Sequence, residues 1–461
     1  MSRKQQLLKR HRRNKRIGVL TGLVLLVAIG VGVAWWLPLL LGVLAWAAHE
    51  AWFADHLFYA PSEDYHYRFS ADAEVAGVRF EGGRLRVDAP LPAGATLVLA
   101  IKVKSTWLGR FLDPAVEISG GDSPDRQAFE RGVNGVRYLN LSGLAVDELQ
   151  LRGRFCRVLG TPRLWSWANP DYAAQRVMVI APHADDAELA AFGLYSQAEK
   201  PWIVTLTAGE IEAEHYQQMG LDPVEASRIK GRLRAWDSIA VPRWAGVPEA
   251  HCVQLGYFCL QLPAMRASPD QPVASREAEL SDIRLFRQFN PFALPADQDG
   301  LPTWNNLLAD LRQLLLAARP EVIVLPHPVI DPHPDHICAQ QAVLEALDGL
   351  QWQPTTLLGY ANHLHDNDRW PMGDAGTGIA LPPVFDDALA LQPCSLPLSL
   401  AQQRDKAMAL GMMHDLQPAP PFKRRVRRWL QRVLAGRARS PYGENEFFRK
   451  AVRRHELFWR L

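Results

Sequence analysis

From Ile17 to Ala48 the chain carries no ionisable side chain. About 20 apolar residues are enough to cross a bilayer, so the run is read as a transmembrane anchor. A cleaved signal peptide would have an apolar stretch of only about 7–15 residues followed by a small-residue cut site. The cluster KRHRRNKR directly before the run favours a cytoplasmic N-terminus. A single span then places everything after it on the periplasmic or extracellular side of the inner (plasma) membrane. The alternative is a helical hairpin over 17–59 turning near Pro38, which returns the body to the cytoplasm. Its second arm would have to hold Glu50 and Asp55, which is costly in lipid, so one span is the expectation.

Charge is divided unevenly along the chain. The net charge of +2 combines eight Lys or Arg and no acid in residues 1–16 with thirteen basic residues against three Glu in residues 421–461. The remaining 17–420 is strongly acidic. Nucleic acid is therefore not an expected partner of the body, whereas anionic lipid suits the two ends. The tail run KRRVRRWLQRVLAGRAR places Val426, Trp429, Leu430, Val433 and Leu434 on one helical face with Arg opposite. Such a helix can lie on an anionic membrane or dock on the acidic body of its own chain. The five Cys form no CxxC pair and do not decide the compartment.

With 461 residues the chain exceeds one ordinary domain. Five segments are expected: a basic cytoplasmic stretch over 1–16, the anchor over 17–48, a β-sandwich-like domain over 60–165, a catalytic α/β domain over 170–417, and a basic amphipathic tail over 421–461. Over 60–165 short alternating runs such as GRLRVDA, ATLVLAIKVKS and ELQLRGRFCRVL are separated by Gly, Pro, Asn and Asp, the pattern of small antiparallel sheets. This region reads as a spacer or cover, with glycan binding as the alternative. From Gln175 apolar runs alternate with helical stretches, which predicts a Rossmann-like parallel sheet wrapped by helices. RVMVIAPH, PWIVTLTAGE and EVIVLPH read as buried strands, and DDAELAAFGLYSQAEK, TWNNLLADLRQLLLAARP and DHICAQQAVLEAL as helices. Residues 222–300 read as long loops with one helix near RIKGRLRAWDSIA.

Two polar clusters follow two of these strands. His183, Asp185 and Asp186 follow RVMVI, and the ten residues His327 to His336 after EVIVL include His333, Asp331 and Asp335. In open α/β sheets ligands bind outside the carboxyl ends of the strands, so the two clusters can meet. Imidazole and carboxylate donors suit zinc with an open water position, and a free carboxylate beside it can take a proton. Alone, each residue has an ordinary structural use, an Asp at a helix start being commonly an N-cap. Packing alone seldom asks for so many ionisable groups in two matched places.

At these residues the chain resembles the PIG-L/LmbE-like de-N-acetylases, whose hallmarks are HPDD after the first strand and a later HPDH. Ala184 replaces the usual Pro, and Glu188 stands two places after the second Asp, where the family has Glu directly following. TLTAGE at 205–210 resembles the family strand ending in T-x-G-E, and KAMALGMMHDLQ at 406–417 its late helix. The family's Arg/Glu-bearing helix corresponds to SRIKGRLRAWDSIA, which lacks the Glu.

The resemblance spans about 175–417. It implies one zinc per chain held by His183, Asp186 and His336, with Asp185 as general base and His333 stabilising the oxyanion or protonating the leaving amine. Asp331, Asp335 and His327 would orient the imidazoles. Arg228, Arg232 and His414 are the substrate-contact candidates. The expected substrate is an N-acetylated amino sugar on an envelope glycan or glycolipid. A zinc amidase acting on another acylated amine, and a glycan-binding scaffold with a vestigial site, are the alternatives.

Overall fold

The computed structural model describes residues 3–461 other than 89, 121–123, 146–148 and 387. Its centre is an eight-stranded mixed sheet. Five parallel strands, Val177–Ala181, Trp202–Thr207, Cys252–Tyr257, Val322–Pro326 and Thr356–Tyr360, lie in the spatial order third, second, first, fourth, fifth. That is a doubly wound order, with its reversal between the first and fourth strands. Successive residues feed opposite faces. Met178, Ile180, Ile323 and Leu325 pack under the helices Trp304–Ala318 and Pro334–Leu347. Val177, Val179, Val322 and Val324 pack under Asp186–Tyr195 and Leu400–Met412. Burial on both faces is why these strands read as unbroken apolar runs.

Ahead of this sheet lie two antiparallel sheets, one of four and one of five strands, built from residues 74–167. Leu97, Leu99 and Ile101 of one share a core with Val116, Ile118 and Leu149 of the other. They are fastened to the central sheet at Ser395, whose backbone N–H donates to Thr96 Oγ1 at 2.8 Å and whose hydroxyl accepts from Asn140 Nδ2 at 2.7 Å.

Two expected boundaries change. The apolar run is not one helix: Arg3–Gly32 ends at a turn over residues 33–36, and Leu37–Ala48 runs back beside it. Pro38 cannot continue a helix interior but is harmless in a first turn, where its missing donor has no partner to lose. The arms touch closely, since a Cβ on Gly30 would meet the Pro38 ring at 2.9 Å and one on Gly42 would meet Leu26 at 4.0 Å. At the hairpin's base the His11 ring lies 5.1 Å from that of His56. Glu50 and Asp55, which argued against a hairpin, lie beyond the apolar arm. Arg427 Nε meets Glu50 Oε2 at 2.5 Å, and Arg437 Nη2 meets Asp55 Oδ2 at 2.8 Å.

The tail also divides. Phe422–Ala435 is a helix packed against His49–Phe53, burying Leu430, Gln431 and Ala435 while leaving Phe422 and Trp429 exposed. His455–Arg460 is instead a buried strand between Thr356–Tyr360 and Ala390–Pro397, antiparallel to both. Surrounding Arg and Lys masked this strand in the sequence.

Candidate metal centre

The first and fourth parallel strands are neighbours. His183, Asp185 and Asp186 follow the first, and His327 through His336 follow the fourth, so both clusters open on the crevice where the strand order reverses. His183 Nδ1 lies 3.1 Å from Asp186 Oδ2 and 3.4 Å from His336 Nε2, and His336 Nε2 lies 3.2 Å from the same Asp186 oxygen. A tetrahedral ion with ligand bonds of about 2.0–2.1 Å needs donor atoms about 3.4 Å apart. These three fall close to that spacing.

The other nitrogen of each imidazole faces a carboxylate. His183 Nε2 lies 3.2 Å from Asp335 Oδ2, and His336 Nδ1 lies 3.0 Å from Asp331 Oδ2. Both carboxylates are fully buried and fixed by the backbone, Asp335 by the N–H of Leu260 at 2.7 Å and Asp331 by the N–H of Asn362 at 2.9 Å. With each ring proton on the carboxylate side, where His336 Nδ1 approaches Asp331 without a well-directed hydrogen bond, His183 Nδ1 and His336 Nε2 are left as lone pairs. Two lone pairs and a carboxylate oxygen then converge on one point, an arrangement that a cation satisfies.

Besides His183 with His333 and His336, a further grouping, His183, Cys259 and Asp335, brings donor atoms within 4.8 Å of one another. It uses the side of His183 already committed to Asp335. Burial pushes the Cys259 thiol above its ordinary pKa, which favours the protonated, poorer ligand.

Asp185 sits at the N-cap of Asp186–Tyr195, yet its side chain makes no capping hydrogen bond. Its Oδ1 instead accepts from Arg234 Nη2 at 3.2 Å, and Arg234 Nη1 reaches Asp415 Oδ2 at 2.6 Å. His333 closes the other side, its ring centroid 5.0 Å from His183 and 4.7 Å from His336 and stacked at 5.4 Å on His363. Burial, reinforced by the neighbouring imidazoles, lowers the His333 pKa to about 3, so its ring is neutral near pH 7.

Several expected residues stand elsewhere. His327 does not orient a ligand: its Nδ1 accepts the backbone N–H groups of Val329 and Ile330, and its ring lies against Trp459. Arg228 donates to the Ala278 carbonyl, and Arg232 is exposed. His414 is held at the rim by Asp237, 2.6 Å away. Arg234, Asn362, His363 and Cys259 were missed. Only Arg234 left a signal: Ser227, Lys230, Gly231 and Arg234 form one buried helical face at three- and four-residue spacing, and Arg232 falls on the opposite side.

No curated protein matches the chain. Among solved structures, 4-carboxy-2-hydroxymuconate hydratase from Pseudomonas putida is similar at 14% identity over 56% of this chain and 83% of that one, with a TM-score of 0.31. A family two carbohydrate esterase from Cellvibrio japonicus is similar at 12% identity over 64% and 87%, with a TM-score of 0.16. Scores this low carry no argument. Residues 178–347, which contain both polar clusters, match the family model of PIG-L, GlcNAc-PI de-N-acetylase.

Proposed function

We propose that the protein is a membrane-bound, zinc-dependent de-N-acetylase that hydrolyses the acetamide of an N-acetylated amino sugar on an envelope glycan or glycolipid. The observation that carries this reading is the convergence of His183 Nδ1, Asp186 Oδ2 and His336 Nε2 at 3.1–3.4 Å, with a carboxylate behind each imidazole. Two nitrogens and one oxygen suit zinc better than calcium or magnesium, which prefer oxygen. When bound, such an ion polarises a carbonyl and lowers the pKa of water. Asp185, held by Arg234 and free of the donor triad, takes the proton of the attacking water and returns it to the amine as the C–N bond breaks, releasing acetate. His333, neutral and at the cluster's edge, donates an N–H to the oxyanion rather than acting as a charged acid. The two antiparallel sheets fit a small β-sandwich serving as a spacer, supported by their fastening at Ser395.

The test is acetate release from acetamido-sugar glycans by full-length protein in neutral detergent. Release should stop on chelation and return with zinc. Equal release with chelator present, or turnover confined to acylated amines that are not sugars, would overturn the assignment.

The hairpin supports a revised placement. The first arm belongs to a helix long and apolar enough to cross a membrane, and the second, Leu37–Ala48, returns beside it over about 18 Å. The basic N-terminal helix and the body meet at the same end through His11 and His56. The body then faces the cytoplasm with the basic cluster. A fluorescent reporter that matures in the cytoplasm, fused after Leu461, is expected to be bright, and a reporter active only outside is expected to be silent there. The reverse pattern restores the single span.

A further inference from the structure

A cavity of about 990 Å³ lies at the base of the hairpin and contains none of the metal-cluster residues. Ala54, Asp55 and His56, which directly follow the hairpin, form one wall, and the helix Phe422–Ala435 with the segment after it forms another. Eleven Arg and six Asp or Glu line it, a marked excess of positive charge in one enclosure. Most pairs at its base are internally matched. Asp113 takes Arg369 at 2.7 Å and Arg437 at 3.4 Å, and Asp55 takes Arg437 at 2.8 Å. Arg131 joins them at 3.6 Å from Asp113, so three guanidiniums share two carboxylates. Nε and Nη2 of Arg437 are buried without a well-directed hydrogen bond. Arg424, Arg425 and Arg432 line the cavity and form no ion pair among the described residues.

We propose that this cavity binds the phosphate of an anionic membrane lipid, separately from the reaction at the metal centre. Phosphate brings the charge and acceptor oxygens that a cluster of guanidiniums lacks. A lipid, rather than free phosphate, is indicated by what surrounds the cavity. With the hairpin in the membrane, as proposed above, the cavity lies at the membrane surface, and the helix that lines it exposes Phe422 at 79% and Trp429 at 61% beside its Arg residues. Trp107, Leu108 and Phe111 form a further exposed apolar group, with Phe111 packed against Trp52 at the hairpin's end. Aromatic residues at this depth suit the headgroup region.

The experiment is native mass spectrometry of the full chain in neutral detergent, titrated with phosphatidylglycerol, phosphatidylcholine or inorganic phosphate. Phosphatidylglycerol is expected to bind as a discrete adduct at least tenfold more tightly than the other two. Replacing Arg424, Arg425 and Arg432 together by Gln should weaken it tenfold or more. So should Ala438→Trp, which leaves every charge in place and fills the cavity from an exposed position. Three results would each overturn the proposal: equal binding of the two lipids, inorganic phosphate binding as tightly as phosphatidylglycerol, or unchanged phosphatidylglycerol binding by Ala438→Trp. The last would place the lipid on the outside of the tail helix. Melting curves on each variant show whether a loss reflects unfolding.

Discussion

Asp186→Ala, His183→Ala and His336→Ala should each lose bound zinc and acetate release together, with metal content falling from about one ion per chain to near zero. Each substitution removes one of the three proposed donors, and His336 and Asp186 are buried. Elemental analysis of dialysed protein reads the result. Asp331→Asn should be milder: it leaves all three donors in place but weakens the orientation of His336, which typically costs about 10–100-fold in metal affinity. Full metal retention by all three alanine variants would remove the basis for the proposed chemistry, including the assignment of Asp186 as a ligand.

Asp185→Asn should behave differently. It should keep near-normal zinc while kcat falls by about 10²–10⁴, the usual worth of a general base, with KM changing much less. Arg234 acts through Asp185 rather than on the substrate, so Arg234→Gln should lower kcat with little change in zinc, and Arg234→Lys should recover part of the loss by restoring the charge without the fork. Arg232→Ala, two residues away on the exposed side, should match the parent protein. If Asp185→Asn abolishes zinc binding, Asp185 is a ligand; if it leaves turnover unchanged, it is not the base.

The contrast between Arg232 and Arg234 shows how the sequence was and was not legible. Both donor clusters could be read because each directly follows a buried strand, and the doubly wound order brings those strand ends together. Asn362 and His363 could not, because they lie in a loop after Thr356–Tyr360 and depend on the pairing of that strand with Val322–Pro326. His327 misled because a His beginning a His-rich run looks like a residue that orients the ligating imidazoles until the turn over Val329 and Ile330 claims its nitrogen. In the apolar N-terminal run the hairpin was the less favoured of two readings, because Glu50 and Asp55 stood against it. The partners of these acids, Arg427 for Glu50 and Arg437 with Arg369 for Asp55, lie more than three hundred residues away.

The strand His455–Arg460 lies inside the sheet rather than at its edge. During synthesis the hairpin is made well before this strand. At about 5–20 residues per second, the last strand follows some tens of seconds later. Until His455–Arg460 is made, Thr356–Tyr360 and Ala390–Pro397 each lack the neighbour that this strand supplies. A chain interrupted before His455 therefore has a gap in its central sheet, between two strands that are both already made.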